Sequence, residues 1–271
     1  MWNNNFKIKK NNKPFEYFII DNVIDDKFFK ELREQYYVLV SRITEWEEEY
    51  GIQFVDGRKL EYGIQISYGT KNISSFDEII ELSNDLPALS MFIKSLELKS
   101  TYMNFFKLIR PIKIFKASEK ISALDYLTKT CCRLSLKISR CRPGSGIAIH
   151  KDNPIKIISM LFYMGWSDGL NRDSGGTQLY KWTGDKEPMD HGYFSNENFQ
   201  MLSDISPIPN RIMGFIRSNK SWHGVLPVVT DLIGKELTRD VFQINLVRHD
   251  NYGKFLRFFA NLKKMIRNRS F

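Results

Sequence analysis

Short segments with strand patterns, separated by turn residues, dominate the chain after Thr130. Residues 133–140 alternate polar and apolar side chains, which is typical of a strand with one buried face. Residues 156–164 are almost continuously apolar and favour a strand covered on both faces. Shorter strands are predicted at 178–182, 211–217 and 241–247, divided by turns that contain Gly, Pro or Asn. This spacing of strands and turns favours a sandwich or jelly roll.

The first 130 residues or so have more helical patterns. Residues 15–24 predict an opening strand, after which Asp25 or Asp26 can cap a helix that extends to about Val40. A capping box at Ser75 and a first-turn proline at Pro87 predict two further helices. The stretch from Glu45 to Gly69 contains two short strand-like pieces and stays ambiguous. The chain has no βαβ alternation, G-x-G-x-x-G or P-loop, which disfavours nucleotide-binding α/β folds.

Composition limits the class of protein. The chain has 271 residues, of which 42% are apolar and 14% aromatic, so it can bury a substantial core as a globular protein. No run approaches the roughly 18 apolar residues that span a bilayer, and the N-terminus lacks a signal-peptide profile. Three cysteines form neither a disulfide framework nor a CxxC metal site, which favours a reduced, cytoplasmic setting.

The net charge of +9 is concentrated at the C-terminus. Residues 253–271 carry six basic side chains and no acidic one, so the remaining body is only mildly basic and no nucleic-acid partner is expected. Residues 254–267 have a helical pattern with one apolar face. This helix could dock on the sheet, lie on an anionic membrane surface, which would make the protein membrane-peripheral, or form a dimer contact. The sequence does not fix the oligomeric state.

The chemically most informative residues are His150, Asp152 and His223. Residues i and i+2 at a strand end project to the same side, so His150 and Asp152 can bind one ion while Lys151 points away. A distant strand can then supply His223, which lies in a Trp-His-Gly sequence. Two imidazoles and one carboxylate on one face of an octahedral metal form the ligand set associated with non-haem Fe(II) oxygenases. Taken alone, His-x-Asp is also a common surface sequence.

The order of motifs between about residues 130 and 250 resembles the Fe(II)/2-oxoglutarate dioxygenases of the prolyl-hydroxylase-like group. His-Lys-Asp at 150–152 is followed by the apolar strand at 156–166 and by a Gly-Gly turn and strand at 174–180. His223 and then Arg239, just before the last apolar strand, complete the series. The ordered combination is specific, although each motif alone is not.

The resemblance implies a fold and a domain organisation. The expected fold is α+β but mainly β, with a double-stranded β-helix core (a cupin-like jelly roll) flanked by N-terminal helices. A helix-rich support region at 1–130 would pack on a catalytic core at 131–250, and the basic amphipathic helix at 251–271 would complete one domain.

The resemblance also implies residue roles. His150, Asp152 and His223 would bind Fe(II) and form the catalytic centre, with 2-oxoglutarate and O2 as cosubstrates. Arg239 would bind the distal carboxylate of 2-oxoglutarate, which suits the planar guanidinium. The hydroxyl of Tyr163 would support that carboxylate. The structural alternatives are a strand-edge role for Arg239 and a plain core role for Tyr163.

Three departures from the family pattern stand beside these roles. Arg239 follows His223 by 16 residues, a longer spacing than usual. Val241 occupies a position where many relatives have Ser or Thr, so Gln243 is a candidate for part of the carboxylate hydrogen bonding. Arg142 stands near a position where relatives often have Tyr, and is a rival cosubstrate contact or a substrate-binding residue.

The implied reaction is hydroxylation of an unactivated C–H bond. The retained Asp152 argues against halogenation but does not exclude desaturation or ring closure. The cationic residues near the motif, Arg140, Arg142, Lys151 and Lys156, favour an anionic small molecule, glycan or lipid precursor as substrate. The alternatives are a protein prolyl hydroxylase, a non-catalytic metal-binding scaffold with this fold, and a zinc- or manganese-binding cupin with hydrolytic or isomerase activity. His191 and His249 are expected to be solvated, and Trp222 to pack beside the metal ligands.

Overall fold

A computed structural model describes residues 1–3, 7–50, 62–67, 84–97, 132–141, 146–154, 156–166, 175–188, 194–226 and 238–248. These residues contain two α-helices and eleven strands. The helices are α1 (Asp26–Tyr50) and α2 (Pro87–Glu97). The strands are β1 (Ile8–Asn11), β2 (Tyr17–Ile20), β3 (Tyr62–Ser67), β4 (Cys132–Cys141), β5 (Ile147–His150), β6 (Lys156–Trp166), β7 (Thr177–Trp182), β8 (Phe199–Ile205), β9 (Arg211–Ile216), β10 (Trp222–Val225) and β11 (Arg239–Arg248).

The strands form two antiparallel sheets. The larger sheet has the order β1-β2-β9-β6-β11-β4-β3, and the smaller sheet has the order β5-β10-β7-β8. From β4 to β11 the chain passes repeatedly between the two sheets, and the last strand of this series pairs with the first. Eight strands that cross between two sheets in this order form a jelly roll. The predicted double-stranded β-helix is therefore confirmed.

Side-chain alternation along β6 and β11 separates two interiors. Phe162 on β6 and Phe242 on β11 belong to the core cluster that includes the helices. Tyr163 and Val241, one position along each strand, belong to the cluster between the sheets. Because successive residues of a strand face opposite sides, one strand contributes to both layers. This explains the almost continuous apolar run at 156–164, as predicted for a strand covered on both faces.

The two helices cover one face of the larger sheet. Asp25 caps α1, with its Oδ1 accepting from the Phe28 amide at 3.1 Å, which decides between the two predicted caps. Leu89, Phe92, Ile93 and Leu96 of α2 are buried, as predicted. Burial of each such side chain contributes about 1.5–3 kcal/mol, so these helices stabilise the strands that carry the site.

Most predicted elements lie where the pattern placed them, with bounds that differ by a few residues. The opening strand is shorter than predicted, at Tyr17–Ile20, and α1 extends ten residues beyond Val40. The ambiguous stretch at 45–69 holds the end of α1 and strand β3. The helix predicted at Ser75 and the basic helix at 251–271 lie outside the described residues.

Two strands were missed by the sequence analysis, β1 and β8. All four residues of β1 are exposed, and most of β8 is exposed or half-buried. Without one consistently buried face, neither strand has the alternation by which a strand is recognised. In the part of the chain that the structure describes, no helix is long and apolar enough to cross a lipid bilayer.

Candidate metal and cosubstrate site

The smaller sheet brings the three predicted metal ligands together. His150 is the last residue of β5, and it lies directly opposite His223 on the antiparallel strand β10. The centroids of the two imidazole rings are 4.3 Å apart. Asp152 follows the end of β5, and one ligand atom from each of the three residues lies within 4.8 Å of the others. The predicted convergence of these side chains is therefore present in the structure.

Backbone carbonyls orient both imidazoles. The Nδ1 atom of His150 lies 2.9 Å from the Ala148 carbonyl oxygen, and Nδ1 of His223 lies 3.0 Å from the Ser221 carbonyl oxygen. Because a carbonyl can only accept, each Nδ1 carries a hydrogen, so the other ring nitrogen, Nε2, is the one that can bind a metal. This is the tautomer that a metal-binding histidine needs.

The surroundings keep the His223 ring neutral. Burial, followed by the neighbouring His150, lowers the pKa of His223 to about 3. A neutral imidazole is the form that binds metals, so no proton has to leave His223 near neutral pH before a metal binds.

The Asp152 carboxylate has a partner on each oxygen. Its Oδ1 accepts from the Lys156 ammonium at 2.6 Å, and its Oδ2 accepts from the Ser159 hydroxyl. Burial alone would raise the pKa of Asp152, but Lys156 and then the two histidines outweigh burial and hold this pKa below its usual range. The side chain is therefore an oriented carboxylate at neutral pH.

A contact between Lys151 and Trp222 links strands β5 and β10 beside His150 and His223. The Lys151 ammonium lies 4.2 Å from the centroid of the Trp222 ring and donates to the Pro188 carbonyl at 2.6 Å. Trp222 Nε1 donates to Glu187 Oε1 at 2.7 Å. Lys151 follows His150, and Trp222 precedes His223, so this cation–π contact links the two ligand-bearing strands. The predicted packing role of Trp222 fits this arrangement.

A cavity of about 290 Å³ is lined in part by His150, Asp152 and His223. Arg239 and Gln243, two of the predicted cosubstrate residues, line the same cavity. The remaining lining residues include charged and polar side chains alongside apolar ones. The polar group comprises Asn153, Lys156, Ser159, Thr177 and Asn245, and Lys151 also belongs to the lining, although its ammonium contacts Trp222 and Pro188. The cavity thus has the Arg239 guanidinium from β11 in addition to the cluster of His150, Asp152 and His223. A small dianion can bind between the guanidinium and a metal held by this cluster.

Arg239 is held beside a pair of hydroxyl groups. It is buried on β11, and its Nη2 donates to Thr177 Oγ1 at 3.2 Å. Thr177 Oγ1 also lies 2.7 Å from the hydroxyl of Tyr163, over whose ring the guanidinium lies at 5.3 Å. Burial raises the pKa of Tyr163, so this hydroxyl keeps its proton. Tyr163 lies behind Thr177 and Arg239, and the predicted support of a carboxylate by its hydroxyl would pass through these two residues.

Thr177 is the residue that sequence reasoning missed. It is buried, lines the cavity and contacts Arg239, so it offers the hydroxyl that Val241 lacks. The available signal was a hydroxyl residue directly after the Gly-Gly turn, at the start of an apolar strand. Gly175 of this turn has a φ of +73°, and a Cβ at that position would lie 3.2 Å from Arg239 Cδ. The turn therefore packs against Arg239, in addition to its predicted role between strands.

Three further residues named from the sequence, Arg142, His191 and His249, lie outside the described residues. Lys151 and Lys156, counted among the cations around the motif, make contacts within the protein, to Trp222 and to Asp152 respectively.

The donor set fits Fe(II). Two imidazoles that can bind through Nε2 and one ionised carboxylate leave further coordination positions for small oxygen ligands. The hydrogen bonds at both Nδ1 atoms and at both carboxylate oxygens supply the outer contacts that orient such ligands.

The chain matches no protein-family model and no curated protein. It is similar to the crystal structure of a prolyl-4-hydroxylase from Pseudomonas putida, with 12% identity over 86% of this chain and 92% of that one, at a TM-score of 0.41. It is similar to a 2OG-Fe(II) oxygenase family oxidoreductase from Burkholderia pseudomallei, with 14% identity, 71% and 70% coverage and a TM-score of 0.39. A third is HygX from Streptomyces hygroscopicus with nickel and 2-oxoglutarate bound, with 12% identity, 85% and 82% coverage and a TM-score of 0.39.

Proposed function

We propose that the protein is an Fe(II)- and 2-oxoglutarate-dependent oxygenase that hydroxylates an unactivated C–H bond. The observation that carries this proposal is the geometry of one cavity. His150, Asp152 and His223 present ligand atoms within 4.8 Å of one another, and the buried Arg239 lines the same cavity. A metal site and a fixed cation in one cavity suit a cosubstrate that has a chelating end and a distal carboxylate.

Different residues would bind the metal and the cosubstrate. His150, Asp152 and His223 would hold Fe(II), which when bound supplies O2 activation coupled to oxidative decarboxylation of 2-oxoglutarate to succinate. Arg239 would bind the distal carboxylate through its guanidinium N–H groups. The Thr177 hydroxyl accepts from Arg239, so its own proton can be donated to that carboxylate. Gln243 lines the cavity and can add a further hydrogen bond.

For the substrate we propose an anionic small molecule or a glycan or lipid precursor. The amide groups of Asn153, Gln243 and Asn245 line the cavity and support a polar substrate. Lys156 supports an anionic one, although its ammonium also pairs with Asp152. A prolyl side chain offers no charged group for these residues to bind, which is why a protein proline ranks second.

Succinate formation tests the proposed reaction. The purified protein is incubated with 2-oxoglutarate, ascorbate, O2 and either Fe(II), Zn(II) or no added metal. We expect succinate with Fe(II) only, at a basal rate that rises when a substrate is present. Metal binding without succinate would instead support a non-catalytic scaffold, and turnover of a compound with Zn(II) that ignores 2-oxoglutarate would support a hydrolytic cupin.

Screening of metabolite extracts identifies the substrate. Extracts are incubated with the protein, Fe(II) and 2-oxoglutarate, and compared with the same extracts incubated with the Asp152→Ala variant. A compound that gains one oxygen atom only with the wild type is the expected result. Depletion to equal extents by both proteins would contradict the proposed reaction.

A further inference from the structure

A buried ion pair joins Lys156 to Asp152, one of the three proposed metal ligands. Lys156 is the first residue of β6, and its ammonium lies 2.6 Å from Asp152 Oδ1. The Asp152 side chain is only 7% exposed and that of Lys156 is 24% exposed, so solvent screens the pair weakly. Lys156 also lines the cavity, so its ammonium is next to the place where a metal bound to Asp152 would lie.

We infer that Lys156 shares the Asp152 carboxylate with the bound metal and thereby weakens the hold of the site on that metal. The inference rests on the proposed metal site. Lys156 is then a positioning residue that acts through Asp152, and its charge sets the metal affinity.

The direction of the effect follows from Coulomb's law. An ammonium and a divalent ion that share one carboxylate are separated by only a few ångströms, and two cations at that range repel each other. The repulsion is larger in a buried site, where the effective dielectric constant is below that of water. Each of the two cations therefore lowers the affinity of Asp152 for the other.

Loss of the Lys156 charge should leave the carboxylate oriented. The Ser159 hydroxyl donates to the other oxygen, Oδ2, and Arg217 Nε donates to the Asp152 backbone carbonyl at 3.3 Å. Neither contact involves Lys156. Lys156 thus repels the metal, whereas Ser159 and Arg217 orient Asp152. Substitutions at these different residues can therefore separate the two effects.

The other charged groups near Asp152 have different contacts. The Lys151 ammonium faces Trp222 and the Pro188 carbonyl, and Arg217 Nη1 donates to Asn219. Among the residues that the structure describes, Lys156 is the cationic side chain that pairs with the Asp152 carboxylate.

Titration with Mn(II), followed by the EPR signal of the free ion, tests the inference without any turnover. Lys156→Met removes the charge and keeps the length of the side chain, whereas Lys156→Arg keeps the charge. Relative to the wild type, we expect Lys156→Met to bind Mn(II) at least about tenfold more tightly and Lys156→Arg to stay within about threefold. Ser159→Ala should bind more weakly, because an outer hydrogen bond to the ligand is lost.

Two further variants separate the local effect of the Lys156 charge from changes elsewhere in the protein. Lys181→Met removes an exposed lysine of β7 and should leave the affinity unchanged, which controls for the net charge of the protein. In the background of Asp152→Asn, Lys156→Met should tighten binding less than in the wild-type background, because the carboxylate that holds the ammonium beside the metal is gone. Circular dichroism of each variant confirms that the fold is retained, and Lys156→Gln serves as a second neutral variant.

The outcomes separate this inference from the proposed metal site. One equivalent of Mn(II) bound by the wild type, with unchanged or weaker binding by both folded neutral variants, would overturn the role of Lys156 and leave the metal site standing. Absence of saturable binding by the wild type would overturn both.

Discussion

His150 and His223 are direct cross-strand partners on β5 and β10, with ring centroids 4.3 Å apart, although 73 residues separate them in the chain. Antiparallel pairing places opposite side chains about 5 Å apart on one face of a sheet. The jelly roll thus brings two imidazoles together through strand register alone. Asp152 lies in the turn that directly follows β5, two residues after His150, and this turn brings its carboxylate to the two imidazoles.

Removal of one imidazole should abolish specific metal binding. His223→Ala is expected to lower the affinity for Fe(II) or Mn(II) by more than about 100-fold, since loss of an outer contact alone costs about 10- to 100-fold. Anaerobic metal titration measures this affinity. The matched control is His191→Ala, whose histidine is predicted from sequence to be solvated, and which should bind metal like the wild type. Equal loss of affinity in both variants would contradict the ligand assignment.

The Thr177 hydroxyl should contribute to cosubstrate binding. Thr177→Val keeps the shape of the side chain and removes the hydroxyl that contacts Arg239 and Tyr163. A hydrogen bond to a charged group contributes about 1.5–3 kcal/mol, so we expect KM for 2-oxoglutarate to rise about 10- to 100-fold. Initial rates of succinate formation measure it, with Thr183→Val in an exposed loop as the matched control. An unchanged KM would remove Thr177 from the cosubstrate site.

The contact between Lys151 and Trp222 should stabilise the fold around His150 and His223. A desolvated cation–π contact contributes about 2 kcal/mol, and Lys151→Met also leaves the Pro188 carbonyl without its donor. We expect a loss of about 2–4 kcal/mol in the free energy of unfolding, measured by urea denaturation of the metal-free protein. Trp222→Leu and the double variant complete the cycle, and additive losses would show that the two side chains are not coupled.

Acid should destabilise the metal-free protein through His223. The folded-state pKa of His223 is about 3, whereas an unfolded histidine titrates near 6.5, so the unfolded chain binds the additional proton between these values. Stability therefore falls as the pH drops below about 6.5. Between pH 7 and 5 this contribution is about 2 kcal/mol. Urea denaturation in EDTA should show a smaller loss for His223→Gln than for the wild type. Parallel losses would show that the folded-state pKa is not lowered.

The spacing of apolar residues in the sequence predicted which side chains face the core of each layer. On β6 and α2, the residues expected to face the core are buried, since a strand or helix with a covered face repeats its apolar residues at a fixed spacing. Strand β8 has no such face, and its edge position in the smaller sheet leaves residues such as Met201 and Leu202 exposed. Its existence depends on pairing with β7, which is a tertiary property.

The site was predicted only where a motif carries its chemistry. His150, Asp152 and His223 have metal-ligand side chains in a recognisable order, so their convergence could be predicted. Thr177 and Lys156 are common residue types, and their roles come from strand register and from the turn between β5 and β6. No spacing rule distinguishes a lysine that pairs with a buried carboxylate from a lysine that faces solvent.

The proposed iron and 2-oxoglutarate site is best tested by anaerobic titration of the wild-type protein with Fe(II) and 2-oxoglutarate, followed by visible absorption. If 2-oxoglutarate chelates the bound iron, we expect a charge-transfer band that requires both Fe(II) and 2-oxoglutarate. The band should saturate at one equivalent of Fe(II) per chain. The band should be absent from a folded Asp152→Ala variant. A folded wild-type protein that shows no such band, or an Asp152→Ala variant that shows the full band, would contradict the proposed iron and 2-oxoglutarate site.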